Sequence, residues 1–321
     1  MDALIRWPDG FGSRFTLFVD TEEEFDWSAP LTPRARAVTA IAALPSTHRR
    51  FRSLGVPVTY MVDHPVVTDA RAVSAMRAVM AEGGATIGAQ LHPWVNPPFQ
   101  DVVGPAATYP GNLPRSVEAA KIDVLTDAIT AALGVRPLAY RAGRYGIGPA
   151  TAALLAERGY RLDSSVRAGY DYTRDDGPDF RAVGSAAYRT GSGGSLIELP
   201  LTTVFTGRFR RRGARWHAAA GRVRHGRGLL ARLGLVGRVA LTPEDMPAAD
   251  VVEAIRIAAG EGLRVLNLSF HSPSLVPGHT PYVRDAADLA RFWAWWGVVL
   301  EALDAAGYRA ATLDEVIAAA R

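Results

Sequence analysis

Apolar runs of strand length alternate along this chain with longer segments in which apolar residues recur at helical spacing. The first run, Phe15-Thr16-Leu17-Phe18-Val19, is followed by helical spacing over 35–54 and a second strand-like run over 56–62. Helical spacing returns over 70–82, 116–133, 149–158, 248–260, 285–306 and 313–320. Strand-like runs recur over 85–89, 137–140, 161–163, 195–199 and 263–269. Strands separated by helices predict parallel pairing and an α/β architecture, because a parallel crossover needs a connection of about helix length. With 321 residues, 48% of them hydrophobic, and neither a repeat nor a linker in view, residues 1–321 read as one catalytic domain of barrel size.

The rhythm breaks over 167–247, where Gly, Arg and short β-like pieces predict loops and hairpins carried on the barrel. Gly191-Ser192-Gly193-Gly194-Ser195 reads as a tight hairpin turn, since no Lys-Ser/Thr pair follows it and no helix begins there. The same segment holds the charge asymmetry. Ten arginines lie between Arg208 and Arg238 with no acid among them, so the formal charge of +4 divides into +10 there and 26 basic against 32 acidic residues elsewhere. Arginine suits bidentate phosphate contacts, so the expected partner is a phosphate-bearing glycan, a lipid-linked sugar or an anionic membrane surface. A solvated loop in an arginine-rich chain is the plain alternative. No nucleic acid is expected, because no helix-turn-helix, zinc-finger or aromatic RNA-binding signature accompanies the charge.

The chain has no cysteine, which excludes disulfides, thiolate zinc sites and a cysteine nucleophile and leaves His, Asp and Glu for any zinc. Met1 to Pro8 shows no basic stretch followed by an apolar one, and no run approaches about 18 apolar residues, so a soluble, cytoplasmic protein is expected.

Three strand-like runs end in reactive groups: Asp20 and Glu22, then His92, then His271. Hydrolysing an amide or ester near neutral pH needs an activated water, a sink for oxyanion charge and a proton for the leaving atom. A divalent metal on carboxylate and imidazole ligands supplies the first two. Two residues apart on an extended strand, Asp20 and Glu22 point to one side, as do Gln90 and His92. A solvated acidic loop is the alternative for the first pair, since Glu23 and Glu24 follow directly.

Val19-Asp20-Thr21-Glu22, Leu91-His92-Pro93-Trp94, Tyr140-Arg141-Ala142-Gly143, Leu162-Asp163-Ser164-Ser165 and Ser269-Phe270-His271-Ser272-Pro273 resemble, in order, the five motifs of the NodB-homology polysaccharide deacetylases. The similarity runs from about Phe15 to Leu313 and points to a divergent exopolysaccharide- or lipopolysaccharide-associated branch. It implies a deformed, incomplete (β/α) barrel whose strand ends hold a divalent metal, usually zinc, and remove acetyl groups from sugars. By motif position Asp20 resembles the general base, Arg141 the arginine that pairs with it, His271 the acid that protonates the leaving group, and Asp163 the carboxylate that tunes His271. His92 resembles the second metal histidine, and Glu22, on the same side as Asp20, is the candidate carboxylate ligand. The family's earlier histidine falls on Gly88, so Gln90 is the alternative ligand, with His64 or Glu24 as further recruits. Tyr145 stands four residues after Arg141, where three is typical, and is the candidate oxyanion donor. Trp27 and Trp94 are candidate sugar platforms, His279 and Tyr282 candidate cleft borders, and Phe292, Trp293, Trp295 and Trp296 expected packing groups.

The expected function is metal-dependent removal of acetyl groups from an acetylated oligosaccharide or lipid-linked sugar precursor, with Asp20 deprotonating the activated water. Two alternatives stand beside it: a metal-independent or non-sugar amide hydrolase on the same barrel, which Gln90 favours, and a catalytically silent glycan- or lipid-binding protein.

Overall fold

The computed structural model describes residues 3–99 and 104–320; the terminal Met1, Asp2 and Arg321 lie outside the described residues. In chain order come β1 (Ala3–Leu4), β2 (Ser13–Thr21), α1 (Leu44–Ser53), β3 (Val58–Val62), α2 (His64–Thr68), α3 (Ala70–Ala81) and β4 (Ala85–Leu91). Then follow α4 (Arg115–Leu133), β5 (Ala139–Ala142), α5 (Thr151–Glu157), β6 (Leu162–Asp163), β7 (Tyr188–Thr190), β8 (Leu196–Glu198) and β9 (Thr203–Thr206). The chain continues through α6 (Gly213–Ala220), α7 (Gly226–Arg232), β10 (Gly237–Ala240), α8 (Ala248–Gly260), β11 (Val265–His271), α9 (Ala286–Ala305), β12 (Tyr308–Ala310) and α10 (Leu313–Ala319).

Seven strands run parallel in the order β8-β6-β5-β4-β3-β2-β11. On the β8 side β7 and β1 add antiparallel strands, and β12 pairs with Ser13–Phe15 of β2. The sheet curls, but β8 and β11 do not pair, so the barrel stays open along one seam. The antiparallel β9–β10 pair stitches that seam: Thr202 N donates to Asn267 O (3.2 Å), Leu241 N to Thr202 O (3.2 Å) and Ser269 N to Leu241 O (3.2 Å). This is the incomplete α/β barrel implied by the five motifs.

The two-residue period of the strands separates two cores. Leu17, Val19, Tyr60, Leu91, Tyr140, Leu268 and Phe270 face outward into a layer shared with the helices, where Phe292, Trp295 and Trp296 of α9 are also buried. Phe18, Met61, Ala139, Leu162 and Ile197 face inward and meet Leu313 and Val316 of α10, which plugs the base. Inward positions above that plug form the cleft.

Two expectations change. Helical spacing over 35–54 becomes a 3-10 turn over Thr39–Ala43 and then α1, because Glu24 intercepts the start: its backbone pairs with Ala37 and its Oε1 accepts from Ala40 N (2.6 Å). Pro45, with no N–H to lose, then opens the α-helix. The segment 167–247 holds the hairpins read from it, including the turn at Gly191 between β7 and β8 (φ 75°), but also two short helices, α6 and α7, hidden in the arginine-rich sequence. Among the described residues no helix is long and apolar enough to cross a membrane.

Candidate functional site

Strand parity brings the candidate groups together at the carboxyl ends of β2, β4, β5 and β11. Asp20 and His271 are register partners across β2 and β11, and Gln90 and Arg141 across β4 and β5. Asp20 Oδ1 accepts from Arg141 Nη1. The rest of the fully buried guanidinium is fixed by Ser164, with Nε donating to its carbonyl and Nη2 to its Oγ, each at 2.9 Å. The other oxygen, Asp20 Oδ2, faces His271 Nε2 at 3.7 Å. A carboxylate held on one side and presented to an imidazole on the other can exchange a proton with a group bound between them.

The second imidazole nitrogen has a partner the sequence reading missed. His271 Nδ1 lies 2.7 Å from Glu244 Oε2, while Glu244 Oε1 accepts from His271 N (3.0 Å) and Ser274 Oγ (2.5 Å). Burial alone would lower the imidazole, but the carboxylates of Glu244, Glu22 and Asp20 outweigh it and push His271 up to about 10. For Glu244 burial works upward, and His271 with the surrounding donors more than reverses it, holding the carboxylate below its ordinary range.

Asp163 is therefore not the partner of His271. Leu162 takes the inward position of β6, so its neighbour Asp163, in register with outward-facing Tyr140, turns to the helix side. There it accepts from Ser165 Oγ and shares a hydrogen bond with Glu198. Burial pushes Asp163 up to about 6 and Glu198 well above its usual range, so this is a proton-sharing pair in the wall, away from the cleft. Glu244 carried no motif signal. The one clue was the short apolar run Val239-Ala240-Leu241 before it, which marks another strand end.

A second group lies beside Asp20. Gln90 Nε2 is 2.9 Å from Glu22 Oε2 and 3.1 Å from His92 Nε2, and those two atoms are 3.6 Å apart. Burial pushes Glu22 up to about 8, against the pull of His271 and His92. His92 Nδ1 is 2.7 Å from Glu23 Oε2, and with the proton placed on Nδ1 the Nε2 lone pair faces Glu22 and Gln90. Glu23, which the sequence leaves in an acidic run, is fully buried: Oε1 accepts from Trp94 Nε1 (2.7 Å) and its N–H donates to Asp63 Oδ2 (2.8 Å). Asp63 caps α2 through Val66 N. A histidine whose far nitrogen is anchored by a carboxylate is the arrangement that orients metal ligands.

The three residues fit a divalent cation. The amide's two ends are told apart only by their partners. Turned by half a rotation, Gln90 would set its oxygen where Nε2 now bridges Glu22 and His92, making three converging acceptors. Glu22 Oε1 and Gln90 Oε1 are buried without a hydrogen-bond partner. A second group, Asp20, Glu22 and His271, also has ligand atoms within 4.8 Å of one another. No further imidazole can join at Gly88, where even a Cβ would come within 2.4 Å of Met61 Sδ and 3.2 Å of Ala139 O. Neither of the other recruits is drawn in. Glu24 holds Ala40 N and His279, and His64, whose Nδ1 is buried without a partner, does not line the cleft.

A cleft of roughly 640 Å³ lies over these groups. Trp94 stacks on His92 (centroids 4.3 Å), and Trp27 meets both His271 (5.2 Å) and Tyr282 (5.4 Å) edge-on, so both tryptophans line the cleft beside the reactive groups. Tyr145 is also in the wall, following Arg144 in a left-handed turn (φ 59° and 55°). Arg167 packs over the Tyr145 and Tyr170 rings, with Nε unpartnered.

No protein-family model and no curated relative matches the sequence. Among solved structures the chain is similar to a Mycobacterium smegmatis protein assigned as a polysaccharide deacetylase, with a TM-score of 0.53 and 19% identity over 97% of this chain and 96% of that one. It is also similar to a 4-alpha-glucanotransferase from Thermococcus litoralis, with a TM-score of 0.52 and 12% identity over 95% of this chain but 38% of the other. At such identities the likeness shows a fold. The fold is that of the NodB-type polysaccharide deacetylases.

Proposed function

We propose that this chain is a hydrolase that removes acetyl groups from an acetylated sugar. The observation that carries the reading is the placement of Asp20 Oδ2 opposite His271 Nε2 at 3.7 Å, each held from behind, one by Arg141 and the other by Glu244. Asp20 takes a proton from the attacking water, its position fixed by the buried guanidinium. His271, kept protonated by its carboxylate neighbours, gives a proton to the departing nitrogen or oxygen. Trp27, which is exposed, offers a ring face for a pyranose, while Trp94 lines the cleft as a buried ring stacked on His92. Arg167 suits a carboxylate or phosphate on the substrate, because rings and no carboxylate dominate its surroundings.

Glu22, Gln90 and His92 would hold a divalent cation, which when bound polarises the acyl carbonyl and lowers the pKa of water. One carboxylate, one amide and one imidazole favour a hard, oxygen-seeking ion over zinc. The bridging Gln90 amide supports a second reading, in which the same acid and base act without a metal. Acetate release from acetylated chitooligosaccharides and acetylated nucleotide sugars, with and without chelator, separates the two. Loss with chelator supports the cation; turnover that persists supports the second reading. Release undiminished by Asp20→Asn, or no release from any acetylated sugar, would remove the hydrolase proposal itself.

A further inference from the structure

We propose that the lobe between β9 and β10, residues 207–236, docks on an anionic lipid bilayer. The inference is independent of the reaction assigned to the cleft. Nine of its arginines (208, 210, 211, 212, 215, 222, 224, 227 and 232) are exposed, and among the described residues none forms a salt bridge, while no acid occurs between Glu198 and Glu244. Charge alone would suit any polyanion. The apolar groups narrow it.

Of the eleven exposed large hydrophobic residues described, five fall in this lobe: Phe209, Trp216, Val223, Leu229 and Leu233. Four of the five have an arginine as a chain neighbour. Phe209 stacks on Trp216 (centroids 5.6 Å), and Leu229 and Leu233 stand one helical turn apart at the end of α7. Arginine interleaved with aromatic and aliphatic side chains on short helices is the chemistry of an interfacial element, with guanidinium groups at the phosphates and apolar groups below them. Val223, Leu229 and Leu233 give a nucleic-acid backbone nothing to bind. A second copy of the lobe would set nine arginines against nine.

The mounting suits such a role. The lobe projects from the β9–β10 pair, and that same pair stitches the barrel seam and leads into Glu244. Arg238 of β10 packs on Tyr170 (3.5 Å), whose ring also meets Arg167 of the cleft wall.

The test is sedimentation of the full chain with vesicles of phosphatidylcholine alone and with a quarter phosphatidylglycerol. Binding is expected only to the anionic vesicles, weakening steeply with added salt. Trp216→Ser/Leu229→Ser/Leu233→Ser should lower partitioning at least about tenfold with charge unchanged, and Arg210→Gln/Arg211→Gln/Arg212→Gln/Arg215→Gln at least as much. Trp fluorescence of the wild type should shift to the blue on binding, and Trp216→Phe should abolish the shift. All of these side chains are exposed, so circular dichroism should be unchanged. Equal binding to neutral vesicles, none to anionic ones, or a triple serine variant that binds like the wild type would overturn the proposal. So would self-association of the lobe in a sedimentation-velocity run without lipid.

Discussion

Replacing Glu244 by glutamine removes the charge behind His271 and, with the amide oxygen still accepting from His271 N and Ser274 Oγ, leaves an NH2 donor in place of the acceptor that now faces His271 Nδ1. The carboxylate now makes a 2.7 Å contact with His271 Nδ1 and is the largest of the influences raising that imidazole. A charge-assisted hydrogen bond of this kind contributes about 1.5–3 kcal/mol, and 1.36 kcal/mol corresponds to one pH unit. His271, which sits at about 10, should therefore titrate about one to two pH units lower in Glu244→Gln. The sign follows from the imidazolium being the favoured form: wild-type His271 keeps its proton below about 10, and the variant gives it up sooner. The alkaline limb of activity should move down with it. The linked stability is fully present below the unfolded value near 6.5 and is lost as pH climbs through about 10. The assay is proton NMR titration of the imidazole Cε1–H, identified by its disappearance in His271→Gln, and it needs no substrate. Asp163→Asn should leave that titration in place. An unshifted His271 in Glu244→Gln, or an equal shift in Asp163→Asn, would refute the assignment of Glu244 as the positioning carboxylate.

Arg141→Met leaves the buried Asp20 with only the His271 imidazolium, 3.7 Å away, as a cation and strands the Ser164 acceptors, so it should cost about 3–5 kcal/mol in urea unfolding; a loss below about 1 kcal/mol would mean that His271 alone suffices for Asp20. Gln90→Leu should weaken binding of Mn²⁺, followed by the paramagnetic resonance of the free ion, at least about tenfold. An unchanged affinity would place the ion elsewhere. Glu198→Gln addresses the wall pair. Because burial raises both Asp163 and Glu198, the native state holds extra protons and its stability falls as pH rises through about 6. Unfolding measured between about pH 5 and about pH 8 should show a shallower fall in the variant, and an identical slope would show that the pair does not titrate with folding.

Much of the barrel was legible because buried parallel strands are written as short apolar runs, and β2, β4 and β11 end where those runs meet polar residues. Parity then carried Asp20 with Glu22 and Gln90 with His92 onto shared faces, as the spacing predicts. It failed at Asp163 for the same reason that it succeeded elsewhere: β6 is two residues long, too short for alternation to declare which of Leu162 and Asp163 faces in. Glu23 was hidden because an acid followed by another acid looks solvated, and its buried role comes from Asp63, His92 and Trp94, 40, 69 and 71 residues away in sequence. The apolar run before Glu244 marks a strand end but not its partner, because His271 lies on β11, across the seam that the β9–β10 pair stitches. Helices α6 and α7 were obscured by arginines on every side.

Asp20 and His271 stand opposite each other in a ladder that runs unbroken from Arg14 with Val265 to this last pair. Moving β11 by a single residue along β2 would swing Phe270 into the cleft and bury an imidazole against α9. Asp20 and His271 are thus indexed by backbone pairing in whole-residue steps: they meet in this register, and no partial slip of the strands leaves them half aligned.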